Sequence, residues 1–185
     1  MSLIHQELYE SGKLDSLDFS SYLRKLITDL IRSYRTENCN IQVNLDVNSF
    51  FLEVDTAVSL GIIINELFTN SFKYAFPAGT SGEINISLSK ERDRDENENG
   101  NEKPISSYVY SPISPGLKSF PSDSRKYEPF TLTFKDNGIG FPADIDFRNS
   151  ASLGLQLVNA LVDQIGGSIE LEGEKGTKFI IKFTG

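Results

Sequence analysis

Three polar residues at helical spacing, Glu66, Asn70 and Lys73, are the first candidates for chemistry in this chain. They lie in INELFTNSFKYAF, residues 64–76, which continues the apolar run VSLGIII. At about 100° per residue they form a stripe roughly 60° wide beside a broader, core-facing stripe. That second stripe consists of Leu60, Ile63, Ile64, Leu67, Ser71 and Tyr74. Polar groups at the edge of a core need partners, which a ligand could supply. The same spacing also fits a charged ladder on a helix surface.

The segment DNGIG is the second candidate, because it combines an acidic residue with two glycines. Gly138 and Gly140 permit a turn with positive φ and close approach of a ligand to the backbone. Asp136, at the end of the preceding strand, is an acceptor placed to receive an exocyclic amine. Asp-Asn-Gly is also ordinary turn sequence.

Two further glycines occur where a backbone would meet a ligand. Gly154, in SLGLQLV, lies at the start of a predicted helix, where free amides and the helix dipole favour phosphate oxygens. Gly176 and Thr177 form a hairpin turn that enters a strand. A helix cap and a plain turn are the alternative interpretations of these two segments.

The elements that position these residues follow from hydrophobic periodicity. Helices are predicted over residues 2–11, over 17–34 with Asp18 or Ser20 as the cap, over the stretch that contains residues 64–76, and over 152–165. Strands are predicted in NIQVNLDV, SFFLEVD, GEINISLSK and FTLTFK, and in a terminal hairpin that turns near residues 173–176. Asp55 is the expected cap of the helix that contains Asn70. The expected apolar face of the last helix consists of Leu153, Leu157, Ala160, Leu161 and Ile165.

This order of strand, helix, strand, strand, helix and hairpin predicts an α+β fold. We expect a two-layer α/β sandwich, with helices packed on one face of a mixed sheet. Residues 90–129 interrupt the pattern: 90–103 contain no apolar residue, and 104–129 hold five of the seven prolines. We interpret this segment as an insertion between two strands, either tolerated at the surface or used for docking.

Composition excludes several classes of function. The 185 residues carry a net charge of -8, which argues against a nucleic-acid ligand but not against phosphate bound through backbone amides and a cation. No apolar run reaches the roughly 18 residues of a membrane helix, and the amino terminus lacks the features of a signal peptide. Cytoplasm is the expected compartment. Single histidine and cysteine residues, His5 and Cys39, remove most nucleophilic triads and histidine-based metal sites.

Taken together, the segments resemble the ATP-binding domain of the GHKL superfamily, which includes gyrase-type ATPases, chaperones, histidine kinases and mismatch-repair proteins. NELFTNSFKYAF is similar to its N box, and DNGIG, LGLQLV and GT are similar to its three glycine boxes, in the family's order. The resemblance covers about residues 38–185 and implies a Bergerat-type fold. NEL..N..KYAFP and SLGLQLV.ALV.Q.GG are closest to sensor histidine kinases with the second type of dimerisation domain. Residues 1–36 would then end a dimerisation region and its linker helix, and 37–185 would form the catalytic domain.

The resemblance implies ATP and Mg²⁺ as ligands and assigns roles to the N box. Asn70 would coordinate Mg²⁺ on the ATP phosphates, and Glu66 would face the same metal. Lys73 would neutralise charge on the γ-phosphate, and Tyr74 would flank the nucleotide. Mg²⁺ suits oxygen ligands and keeps several waters.

The glycine boxes complete the implied site. Asp136 would accept the adenine amino group, supported by Thr177. Backbone close to the phosphates would come from Gly138, Gly140, Gly154, Leu155 and Gly176. Two features depart from the family pattern: Ser152 stands where a further glycine is usual, and the lid between Pro142 and Ser152 is short.

The function implied is phosphorylation of a histidine on a dimerisation helix that this chain lacks, with a response regulator downstream. His5 does not fit the acceptor position, so we expect no autophosphorylation by the chain alone. Three alternatives stay open: a GHKL ATPase in which Glu66 activates water, a serine kinase of the anti-sigma-factor type, and a non-catalytic module that binds a partner through the insertion.

Overall fold

The computed structural model describes residues 16–34, 40–77, 80–90, 129–173 and 175–184. The predicted helix over residues 2–11 and the insertion at 91–128 lie outside this range. No helix in the described part of the chain is long and apolar enough to cross a membrane.

A five-stranded mixed sheet forms one layer of the fold, in the order β2-β4-β5-β7-β6. Its β2 and β4 are parallel and the other neighbours are antiparallel. A parallel pair needs a crossover connection, which a helix supplies here. The bounds are β2 Asn40–Val47, β4 Ser81–Lys90, β5 Pro129–Asp136, β6 Ser168–Glu172 and β7 Lys178–Thr184.

Among the described residues, three α-helices form the second layer: α1 Phe19–Tyr34, α2 Val54–Asn70 and α3 Leu153–Gln164. A five-residue π-helical turn, Ser71–Ala75, extends α2, and a short 3₁₀ turn, Phe147–Asn149, precedes α3. Asp18 caps α1, accepting hydrogen bonds from the backbone N–H of Ser20 and Ser21 at 3.1 and 3.3 Å.

The core lies between the helices and one face of the sheet. Along each central strand, alternate residues are buried, among them Ile84, Ile86 and Leu88 in β4, Phe130, Leu132 and Phe134 in β5, and Phe179, Ile181 and Phe183 in β7. Alternation of this kind shows that the helices of the described ranges pack on one face of the sheet. The predicted α+β sandwich with a mixed sheet is therefore confirmed.

A two-stranded ribbon lies outside this sheet and differs from the expected arrangement. Residues Ser16–Asp18 form β1, which pairs antiparallel with β3, Phe51–Glu53. The strand in SFFLEVD was expected, but its partner was not, because β1 is only three residues long and carries no alternation signal.

Three local predictions were wrong. Asp55 does not cap α2; the helix starts at Val54, and Asp55 lies in its first turn. Tyr74 is 70% exposed and does not join the core stripe. In α3, Leu153 and Leu157 are exposed, and the buried face consists of Leu155, Val158, Leu161 and Val162.

The chain divides into one unit of residues 1–91 and 128–185 and a second of residues 92–127. The second unit lies outside the described range. The division into residues 1–36 and 37–185 stays a prediction.

Candidate functional site

A cavity of about 450 Å³ lies where the end of α2, the start of α3 and the two loops beside them meet. Its wall is mostly apolar, which suits the faces of a flat ring system. The lining residues are Leu67, Asn70, Ser71, Tyr74, Ala75, Asp136, Ile139, Gly140, Phe141, Pro142, Ile145, Ser150, Ser152, Leu155, Thr177 and Phe179.

Asp136 is the one acidic residue in this wall, and it is 2% exposed. One carboxylate oxygen, Oδ1, accepts hydrogen bonds from the backbone N–H of Gly138 at 3.0 Å and of Thr177 at 3.1 Å. The other, Oδ2, accepts from the Ser71 hydroxyl at 2.8 Å. A carboxylate has about four acceptor sites, so this network leaves one site on Oδ2.

The π-helical turn determines how the N-box residues face the cavity. Its i→i+5 hydrogen bonds widen the turn, so residues after Asn70 advance by less than 100° each. Tyr74 thereby leaves the core and reaches the cavity rim, while Ser71 stays buried. Asn70 is half-buried and lines the cavity, and its amide makes no capping bond to the turn. Lys73 is exposed and lies outside the cavity wall.

Two glycines of the first and third boxes allow backbones to touch behind Asp136. A Cβ at Gly138 would overlap the carbonyl oxygen of Ala75, and that same oxygen accepts a hydrogen bond from the Ile139 N–H at 2.9 Å. A Cβ at Gly176 would overlap the carbonyl oxygen of Asp136. The predicted positive φ occurs at Gly140, where φ is 90°, but not at Gly138. Gly138 is needed for close approach instead.

Glu66 faces the first turn of α3 and is not part of the cavity wall. Its Oε2 lies 2.6 Å from the position that a Cβ on Gly154 would occupy. Its Oε1 accepts a weak hydrogen bond from the Asn65 amide at 3.4 Å. The lack of a side chain at Gly154 therefore gives the Glu66 carboxylate its space beside the helix start.

The segment from Pro142 to Ser152, predicted as a short lid, is held to the body of the fold by side chains. Arg148 donates a hydrogen bond from Nη2 to the carbonyl oxygen of Ile169 at 2.8 Å. Asn159 donates to the carbonyl oxygen of Phe147 at 3.1 Å, and Gln156 to that of Ser150 at 3.0 Å. Hydrogen bonds from Asn149 and from the Arg148 N–H hold the pKa of Asp146 below its usual value, which favours the charged cap of the 3₁₀ turn.

The structure brings most of the predicted site residues to one place. Six line the cavity: Asn70, Tyr74, Asp136, Gly140, Leu155 and Thr177. Four lie in or next to its supporting backbone or rim: Glu66, Gly138, Gly154 and Gly176. Lys73 stands apart. Within the described ranges, no group of three His, Cys, Asp or Glu side chains could hold a metal ion by itself.

Sequence reasoning missed Ser71 as a site residue and assigned it to the core. A signal existed, because Ser71 is the one small polar residue on the predicted apolar stripe. It also missed the apolar wall that Ile139, Phe141 and Phe179 provide. These residues carry no polar pattern, so only the fold shows that they converge.

Two protein families match the chain, and one of these matches covers part of this site. Residues 117–184, which supply Asp136 and the glycine turns, match the family described as histidine kinase-, DNA gyrase B-, and HSP90-like ATPase. Residues 1–34 match the HisKA_2 family, described as histidine kinase. Together these matches support the predicted resemblance to a histidine kinase catalytic domain of the GHKL superfamily that follows a HisKA_2 segment.

One curated relative of this chain is distant in sequence. It is 22% identical over 182 residues to blue-light-activated histidine kinase 2 of Erythrobacter litoralis, covering 96% of this chain and 42% of that protein. The chain therefore spans less than half the length of this relative.

Solved structures share its fold. The histidine kinase domain of a blue-light-activated kinase from E. litoralis superposes with a TM-score of 0.72 at 22% identity, over 98% of this chain and 69% of that one. The histidine kinase AdeS of Acinetobacter baumannii gives a TM-score of 0.56 at 16% identity, over 98% and 73%.

Proposed function

We propose that this chain binds ATP with Mg²⁺ in the cavity beside Asp136 and transfers the γ-phosphoryl group to a histidine on a dimerisation helix. The observation that carries the proposal is the buried Asp136 carboxylate, which retains one acceptor site in the wall of an apolar cavity. An exocyclic amine on a flat base satisfies that acceptor, while the apolar wall covers the ring faces.

The residues at the cavity edge suit a triphosphate and its cation. The Asn70 amide oxygen offers a hard ligand to Mg²⁺, and Glu66 lies one helical turn away. The cation would take its remaining ligands from phosphate oxygens and water, which fits the finding that no three Asp, Glu, His or Cys side chains cluster as a metal site among the described residues. Lys73, exposed at the end of α2, would meet phosphate charge that extends out of the cavity.

When bound, ATP supplies the phosphoryl group, and Mg²⁺ neutralises its developing charge. The protein's own contribution is positioning: Asp136 orients the base, Asn70 orients the metal, and the Arg148-anchored segment limits water at the cavity mouth. The match of residues 1–34 to a histidine kinase family supports a histidine acceptor, and a response regulator would then receive the group.

The binding step is tested by titration with a fluorescent ATP analogue, with and without Mg²⁺. We expect Mg²⁺-dependent binding by the wild type, loss of the Mg²⁺ dependence in Asn70→Ala, and at least about tenfold weaker binding in Asp136→Asn. Asp163→Asn, an exposed carboxylate on α3, is the matched control and should bind as the wild type does. A folded wild-type chain that binds no nucleotide would overturn the proposal and favour a partner-binding module.

The transfer step is tested by supplying the full dimerisation helix in trans with γ-labelled ATP. Acid-labile phosphate on the helix histidine is the expected product. Release of free phosphate instead, abolished by Glu66→Gln, would favour a hydrolase in which Glu66 activates water. Phosphoserine on a partner would favour the serine kinase alternative.

A further inference from the structure

Ser71 makes a long-range hydrogen bond to a carboxylate, whereas three of the described hydroxyls in α1 and α2 make local bonds. Thr28, Ser33 and Ser59 each donate to the carbonyl oxygen four residues earlier, at 2.7, 2.8 and 2.8 Å. Such local bonds are the usual partner of a hydroxyl inside a helix. Ser71 instead donates a hydrogen bond to Asp136 Oδ2 at 2.8 Å, and the two residues are 65 positions apart in the sequence. Ser71 is buried, with 4% of its surface exposed.

This bond controls the only carboxylate oxygen of Asp136 that the backbone leaves open. The N–H groups of Gly138 and Thr177 both bind Oδ1. Oδ2 has the Ser71 hydroxyl as its donor, so the hydroxyl occupies one of its two acceptor sites and leaves the other. Without Ser71, Oδ2 would keep two open sites and the carboxylate would lose the contact that sets its rotation.

The bond to Asp136 also restricts the hydrogen bonds that the Ser71 hydroxyl can make with a ligand. A serine has a single proton, and Ser71 directs it to Asp136, so its oxygen can only accept further hydrogen bonds. Both residues line the cavity. These two side chains therefore present acceptors alone to the cavity: they satisfy a donor such as an amino group, whereas a carbonyl oxygen facing them meets only lone pairs.

We propose that Ser71 is a specificity-determining positioning residue, which fixes the Asp136 carboxylate so that the cavity selects bases with an exocyclic amine over bases with a carbonyl oxygen there. The inference rests on the proposed nucleotide binding and adds a residue to it. Rejection should be strong, because a site built of unpaired acceptors leaves both partners unsatisfied when the ligand also accepts.

The test compares the dissociation constants of ATP and ITP, which carries a carbonyl oxygen in place of the adenine amine. We expect wild type to prefer ATP, and Ser71→Ala to reduce the ratio of the two constants at least about fivefold. Ser59→Ala is the matched control: Ser59 is 2% exposed and lies in α2, which the π-helical turn extends, and its hydroxyl makes only a local bond. Its ratio should equal that of wild type.

Each outcome decides between the two proposals. A folded Ser71→Ala chain with the wild-type ratio overturns the role of Ser71 and leaves nucleotide binding intact. A folded wild type that binds neither nucleotide overturns both. If Ser71→Ala unfolds, Ser71→Cys, which keeps a weak donor of similar size, should fold and show an intermediate ratio. Unfolding of both variants would show that Ser71 holds the fold and does not set specificity.

Discussion

Gly138 and Ala75 touch through their backbones, and this contact shapes the wall behind Asp136. The carbonyl oxygen of Ala75 lies where a Gly138 side chain would stand and also accepts the Ile139 N–H. We expect Gly138→Ala to lower the free energy of unfolding by about 1–3 kcal/mol, because a backbone has to move to admit one methyl group. Urea unfolding measures the loss.

Gly173→Ala is the matched control for that substitution. Gly173 is exposed, and a Cβ there would lie 3.4 Å from the carbonyl oxygen of Gly176, an ordinary contact. We expect its unfolding midpoint to stay close to that of wild type. Equal losses in the two variants would contradict a special role for the Gly138–Ala75 contact.

Gly154 differs from Gly138, because the atom that a new side chain would meet is the end of a flexible one. A Cβ at Gly154 would lie 2.6 Å from Glu66 Oε2, and the carboxylate can rotate away. We therefore expect Gly154→Ala to keep its unfolding midpoint within a few degrees but to lose phosphotransfer rate severalfold. A thermal melt and a labelled-ATP assay with the dimerisation helix supplied in trans separate the two effects. An unchanged rate would show that the Glu66 position is irrelevant to transfer.

At the scale of elements, α1 depends on its first residues. Burial raises the pKa of Asp18, but hydrogen bonds from Ser20 and Ser21 outweigh it and leave this pKa below its usual value. A lowered pKa in the folded state means that the charged cap stabilises the fold above about pH 4 and loses this contribution as the pH falls further. The entry of the chain into α1 is thus sensitive to acid.

Replacement of Asp18 should change the free energy of unfolding by an amount that depends on pH. We expect Asp18→Ala to lower the free energy of unfolding by about 1 kcal/mol at pH 7, the usual cost of losing an N-cap. The difference from wild type should shrink at pH 3. Asp29→Ala, an exposed site in the same helix, should cost little at either pH. If the difference in free energy of unfolding between wild type and Asp18→Ala grew in acid, it would contradict the assignment of Asp18 as the cap.

The apolar faces of α2 and α3 show how well hydrophobic periodicity predicts which side of a helix is buried. In α2 the predicted stripe is buried as far as Ser71, and the error at Tyr74 begins where the π-helical turn changes the angle per residue. In α3, apolar residues occur nearly all round the helix, so several faces fit a period of 3.6. The face that is buried in the structure is the one on which Leu155 lines the cavity and Val158 packs in the core.

At the scale of the whole molecule, the sheet register shows where the 90–129 insertion joins the fold. Lys90 and Phe130 are partners across β4 and β5, so the insertion enters and leaves at one end of an antiparallel pair. The hairpin itself therefore does not require a long connection, because an Asn-Gly turn closes such a pair directly.

This register predicts the result of a deletion. Replacement of residues 92–128 by Asn-Gly should leave the unfolding midpoint within a few degrees and the affinity for ATP within about twofold of wild type, since the entropy cost of loop closure changes slowly with loop length. Preserved binding with lost phosphotransfer would assign the insertion to partner docking. An unfolded product would show that the insertion contributes to the core.

The order of the main-sheet strands and of the helices between them, and the buried faces of those strands, were predicted from the sequence alone. The gathering of Asn70, Asp136 and Thr177 was implied by the resemblance to the GHKL superfamily. Alternation with a period of two and glycine turns at the strand ends are local properties, so the chain itself carries them. Tertiary structure decided which hydroxyl donates a hydrogen bond to Asp136, which face of α3 is buried, and that β1 pairs with β3. Each of these is a choice among distant partners that local patterns leave equivalent, and only the packing of the whole core separates them.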